Sequence, residues 1–150
     1  MELKLKGKVL VLGVGNSLKK DDGVGPAAIA EIKNQKSKIK NNVVLLDCGT
    51  VPENYTGKIK KTQPDTLVII DAVDFQGRAG EVRVFEVEKL AINNFSTHGI
   101  SLKTFVGFLK EDLPQLNVII VGVQPKEVAF GEGLSPEIKK AVDKLCTSFI

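Results

Sequence analysis

The stretch Gly13-Val14-Gly15-Asn16-Ser17-Leu18-Lys19-Lys20-Asp21-Asp22-Gly23-Val24-Gly25-Pro26 joins an apolar run to a helical pattern. The preceding run, Lys8-Val-Leu-Val-Leu-Gly-Val14, is too short for a helix of its own and too continuous for a half-exposed strand. That is the signature of a strand buried on both faces. Beyond the stretch, Pro26 sits where a first helical turn tolerates a missing N–H, and Ala28, Ile29 and Ile32 recur at helical spacing. The order is therefore strand, glycine-rich loop with two carboxylates, helix. In open α/β sheets such loops, at the carboxyl ends of strands, are where ligands bind.

A dinucleotide or phosphate loop is the first reading to weigh, and the residues oppose it. A Rossmann fingerprint needs a third glycine where Leu18 stands, and the Gly-Lys-Ser/Thr of a P-loop is absent. Asp21 and Asp22 would also aim negative charge at the place a phosphate should occupy. Carboxylates there suit a cation.

Whole-chain numbers narrow the class. At 150 residues the chain is expected to form a single domain, 1–150, with a real core, and 43% apolar with 26% charged residues is the composition of a soluble globular protein. No run approaches the length of a membrane span, and Met1-Glu-Leu-Lys-Leu-Lys6 lacks a signal-peptide core, so a cytoplasmic location without membrane insertion is expected. The net charge of +3 comes from lysines, with Arg78 and Arg83 the only arginines, and tryptophan is absent. A nucleic-acid binder concentrates arginine and exposed aromatics, so nucleic acid is not an expected partner. Cys48 and Cys146 form neither a disulfide framework nor a zinc pattern, and Cys48 is read as a small buried residue.

Onward from the first helix, Val43–Asp47, Thr66–Val73 and Asn117–Val123 read as three further buried strands, while Glu81–Val87 alternates only in part and suggests an antiparallel edge strand. Tyr55 to Thr62 is short and weakly patterned, enough for one or two helical turns before Pro64. Leu102, Phe105, Val106 and Leu109 repeat at helical spacing, with Ser96 or Thr97 as the expected N-cap. Ser135-Pro136 opens the last helix, striped by Ile138, Val142 and Leu145. The pattern predicts a three-layer α/β sandwich: a mainly parallel twisted sheet of about five strands, one antiparallel at the edge, with helices on both faces.

In that topology Asp22 from the first loop, Asp71 from the end of the third strand and His98 from the loop before a helix are sent to one edge. Two carboxylates and an imidazole suit a divalent metal such as zinc or nickel, with positions left for water or substrate. A metal so held lowers the pKa of bound water to roughly 7 and polarises a carbonyl, as amide hydrolysis requires. Each residue also has a plainer reading: Asp21 or Asp22 as a helix cap, Asp71 as a loop anchor, His98 as a surface residue. Glu53, after the second strand, reads as a solvated loop residue. A nucleophilic triad drawn from Ser17, Ser96, Thr97, Ser101 or Cys48 would also have to use His98, and no Gly-x-Ser-x-Gly elbow is present.

With these residues in view, the sequence resembles the maturation endopeptidases of nickel-iron hydrogenases. The family's opening motif, Gly-Asn-x-Leu-x-x-Asp-Asp/Glu-Gly-x-Gly, is matched by Gly15, Asn16, Leu18, Asp21, Asp22, Gly23 and Gly25. Asp47-Cys-Gly-Thr50, Ile70-Asp-Ala72, Thr97-His98 and Gly122-Val-Gln-Pro125 follow in the family's order, and Pro52-Glu53-Asn54 with Thr97-His98 is closest to the hydrogenase 3 type. The resemblance implies an endopeptidase that removes a C-terminal extension from a hydrogenase large-subunit precursor after nickel insertion. It also implies that Asp22, Asp71 and His98 ligate a nickel carried by the precursor, a donor set that other divalent metals such as zinc or cadmium would also fit. Hydrolysis by a metal-activated water and by an aspartate acting as general base both remain open. Two other classes compete: a non-catalytic metal- or partner-binding module using the same acidic edge, and a nucleotide-binding regulator, which Leu18 and the paired acids disfavour.

Overall fold

A computed structural model describes residues 2–87 and 101–150. Its five strands, β1 (Val9–Val14), β2 (Val43–Gly49), β3 (Thr66–Ala72), β4 (Val82–Phe85) and β5 (Asn117–Val123), lie in the order β2-β1-β3-β5-β4. All neighbours are parallel except β4, which runs antiparallel to β5 at the sheet edge, as its partial alternation predicts. The described helices are α1 (Val24–Asn34), α2 (Thr56–Thr62), α3 (Leu102–Asp112) and α4 (Pro136–Cys146).

Side-chain alternation along each strand divides the core in two. Leu10, Leu12 and Val14 of β1 join Leu67 and Ile69 of β3 beneath α2 and α3, with Ile59, Leu102, Phe105 and Leu109. Val9 and Val11 join Val68 and Ile70 beneath α1 and α4, with Ile29, Ile32, Ile138 and Val142. Continuous apolar runs arise because β1, β3 and β5 are covered on both faces. Among the described residues no helix is long and apolar enough to cross a membrane.

Two expectations are revised and a third is met. β2, read as a buried strand, is the other edge of the sheet: its burial is mixed and Val44 is exposed. An apolar run on an edge strand has the same pattern as one inside, so the two cannot be told apart before pairing is known. The expected one or two helical turns from Tyr55 to Thr62 are present as α2, which follows directly on a 3₁₀ turn (Pro52–Tyr55) and ends with Gln63 in the left-handed region at φ 54°. The cap of α3 is neither Ser96 nor Thr97, both outside the described residues, but Ser101, whose hydroxyl oxygen accepts the Thr104 N–H at 3.1 Å. Capping there lets Leu102 and Phe105 enter the core together.

Candidate active site

The first loop and the helix after it are held against the sheet by the absence of side chains. A Cβ on Gly25 would run into the carbonyl oxygens of Val14 and Ile70, and one on Gly13 would meet the Gly25 carbonyl. Helix α1 therefore begins almost in backbone contact with the carboxyl ends of β1 and β3. The 3₁₀ turn Lys20–Gly23, which carries both aspartates into α1, packs on β3.

The adjacent aspartates divide their work. Asp21 is fully buried, and its carboxylate accepts four hydrogen bonds. Oδ2 takes the Lys126 N–H at 3.0 Å, the Glu127 N–H at 2.9 Å and the Ser135 hydroxyl at 2.7 Å, while Oδ1 takes the Ser135 N–H at 2.7 Å. Burial pushes this carboxyl up, but the donors from Ser135, Glu127 and Lys126 together hold it below the usual carboxylate value. Asp21 is thus the clasp that binds the loop after β5 and the start of α4 to the first loop. It caps no helix. Asp22 is also buried and, among the described residues, accepts one hydrogen bond, from the Asn16 N–H to Oδ2 at 2.9 Å. That bond fixes its carboxylate and leaves Oδ1 free of the bonds that saturate Asp21.

Asp71 is buried at the end of β3 and faces the α2–α3 side, as the alternation from Leu67 and Ile69 requires. Its Oδ1 accepts the Ala72 N–H at 2.8 Å. Next to it, Gln124 at the end of β5 organises the loop after β3. Its Oε1 accepts the N–H groups of Phe75 and Gly77, at 2.9 and 3.0 Å, and its Nε2 donates to Asp74 at 3.1 Å. The residue of the Gly122-Val-Gln-Pro125 motif that carries an amide is thus a brace for the site's rim.

Glu53 departs from expectation. It lies in the 3₁₀ turn after β2, half-buried, with Oε2 wholly buried and without a hydrogen-bond partner among the described residues. A carboxylate oxygen in that condition costs free energy, and the local hydrogen bond of the turn, from the Thr56 hydroxyl to the Glu53 carbonyl at 2.7 Å, does not need it. Its position in Pro52-Glu53-Asn54, at the carboxyl edge of the sheet, was the one signal available in sequence. Cys48 is buried as expected, and burial, followed by the Asp47 charge, pushes its thiol up to about 12, which removes it as a nucleophile at neutral pH.

Asp22 and Asp71 are therefore brought to one edge by neighbouring strands. His98, the third expected member, lies outside the described residues, and among the described residues no three acidic, cysteine or histidine side chains cluster as a metal-holding group. The donor set fits a divalent cation only if a further ligand joins the two carboxylates.

Comparison with known proteins converges on one family. The profile of the family described as HycI, hydrogenase maturation protease, matches residues 27–150. The hydrogenase 3 maturation protease of Escherichia coli K12 is 35% identical, over 89% of this chain and 83% of that protein. Among solved structures, a [NiFe] hydrogenase maturation protease HycI from Thermococcus kodakarensis superposes with a TM-score of 0.84 at 31% identity, covering 95% of this chain and 89% of its own. The endopeptidase HycI from Escherichia coli gives 0.82 at 33%, covering 95% and 88%.

Proposed function

The chain belongs to the hydrogenase maturation protease family, a family of peptidases, and we propose that it removes the C-terminal extension of a nickel-iron hydrogenase large-subunit precursor once nickel has been inserted. In this reading it works in the cytoplasm. Asp22, Asp71 and His98 close on the nickel that the precursor carries and so hold the scissile bond beside them.

The observation that carries this reading is the pair of buried carboxylates, Asp22 and Asp71, delivered to one sheet edge by adjacent strands. Topology supports the third ligand. α3 ends at Asp112, and Leu113 to Leu116 lead into β5 at the amino-terminal edge of the sheet, so α3 begins at the carboxyl edge. It does so on the face toward which Asp71 points. His98 is three residues ahead of its cap, a span of at most about 11 Å of extended chain.

Recognition and chemistry would then share one element. A nickel with incomplete coordination gains ligands only from a protease whose acids are already in place, and an empty precursor forfeits that binding energy. Burial of both aspartates keeps water away from the contact and strengthens it.

Incubation with a nickel-loaded and a nickel-free precursor tests the proposal. The loaded precursor is expected to be shortened and the empty one left whole. Equal cleavage of both would remove the metal from recognition, and cleavage of neither would remove the activity. Metal binding without any cleavage would favour a non-catalytic module on the same scaffold.

A further inference from the structure

Three large apolar side chains project from the two loops that Asp21 clasps together: Leu18, Val128 and Phe130 are 60%, 50% and 81% exposed. Single exposed apolar residues need no explanation, but these three are gathered by backbone pairing. Lys19 and Gly131 form an isolated parallel bridge. The Lys20 N–H donates to the Gly131 carbonyl at 3.0 Å, and the Gly131 N–H donates to the Leu18 carbonyl at 2.9 Å. With Asp21 holding the N–H groups of Lys126 and Glu127, the segment from Lys126 to Gly131 is anchored at both ends. Phe130 stands next to the Gly131 anchor with its ring in solvent.

The charges around the patch point the same way. Lys20 pairs with Glu127 at 3.2 Å and Lys126 with Glu137 at 2.9 Å. Lys19 has no ion pair among the described residues; its ammonium lies 5.4 Å from the centre of the Phe130 ring. An apolar surface with one unneutralised cation suits a partner that is apolar and edged by a carboxylate.

We infer that Leu18, Lys19, Val128 and Phe130 form a preorganised platform on which the body of the hydrogenase precursor docks beside its tail. This rests on the processing role proposed above. The patch is continuous with the site, because Leu18 and Asp22 belong to one loop, and a protein whose chain is cut at Asp22 must lie over its neighbours. A second copy of this chain is a poor occupant, since symmetric pairing would set Lys19 against Lys19 and cover the loop of Asp22. An exposed aromatic anchor of this kind carries a large share of binding energy.

The test uses Val128→Ser with Phe130→Ser, and separately Lys19→Glu. Two readouts apply: steady-state cleavage of the nickel-loaded precursor, and the dissociation constant of that precursor measured in an Asp22→Asn background that leaves it uncut. The double variant is expected to melt at the wild-type temperature and to raise KM and Kd about tenfold or more, with kcat retained. Lys19→Glu is expected to weaken binding less, with a smaller loss at high salt. Unchanged KM and Kd beside an active wild type would overturn the platform while sparing the processing role, as would a fall in kcat alone. A dimer that dissociates on Phe130→Ser would overturn it in favour of self-association. Were the wild type to leave the precursor uncut, the processing role would fall, and the platform would fall with it only if precursor binding ignored the two serines.

Discussion

Asp21→Asn separates the clasp from the proposed metal-binding acid next to it. Asn has the shape of Asp but only one acceptor oxygen, whereas Asp21 accepts at both: three donors at Oδ2 and one at Oδ1. If the amide oxygen takes the place of Oδ2, the amide nitrogen faces the Ser135 N–H, donor against donor. The opposite rotamer abandons three bonds. In the better case one buried N–H loses its partner, at about 1–3 kcal/mol, and three bonds to a charged acceptor become neutral ones, each weaker by about 0.5–1 kcal/mol. The expected loss is about 2.5–6 kcal/mol at pH 7, or a fall in Tm of roughly 5–24 °C for a chain of this size. The sign with pH follows from the lowered folded-state pKa. Asp21 contributes fully above the ordinary carboxylate value of about 3.9, and its contribution is lost as pH falls through the lower folded value. Urea titrations of wild type and variant between pH 7 and pH 3 or lower would show a gap that closes as acid is added. A gap under about 1 kcal/mol at pH 7, or one that widens toward low pH, would refute the clasp.

Two further substitutions probe the frame and the orphaned acid. Gly25→Ala gains about 1 kcal/mol of helix propensity but drives a methyl into the Val14 and Ile70 carbonyls, at a cost of about 3 kcal/mol or more. A net loss of about 2 kcal/mol is expected in urea, and a stabilised variant would contradict the close approach of α1. Glu53→Gln replaces a buried carboxylate oxygen that no donor among the described residues serves, so the denaturation midpoint should hold or rise. A loss above about 1 kcal/mol would make Glu53 a structural anchor.

The central strands were legible because a strand covered on both faces must be apolar throughout, and β1, β3 and β5 are. The edge position of β2 was not, since its run Val43-Val-Leu-Leu46 has the same pattern with one side open. The convergence of Asp22 and Asp71 on one edge followed from topology alone. Which of two consecutive acids is clasp and which is free did not. The donors that saturate Asp21 come from residues 126, 127 and 135, more than a hundred positions away, and nothing local announces them. The cap of α3 was expected at Ser96 or Thr97 and is Ser101, because hydroxyls are equivalent until the core chooses where Leu102 goes. The exposure of Phe130 was not legible either, since the bridge of Lys19 with Gly131 beside it joins loops more than a hundred positions apart.

His98 is the one imidazole of the chain, so its ring signals in a proton–nitrogen correlation spectrum report the proposed site without ambiguity. Titration of the protein with zinc tests whether Asp22, Asp71 and that ring share an ion. The account expects the His98 nitrogen resonance to move to a metal-bound position in the wild type, and Asp22→Asn and Asp71→Asn each to weaken that binding tenfold or more, as loss of a charged ligand should on the order of 1.4 kcal/mol per tenfold. A His98 ring that ignores zinc, or that binds it equally well without either aspartate, would contradict the account.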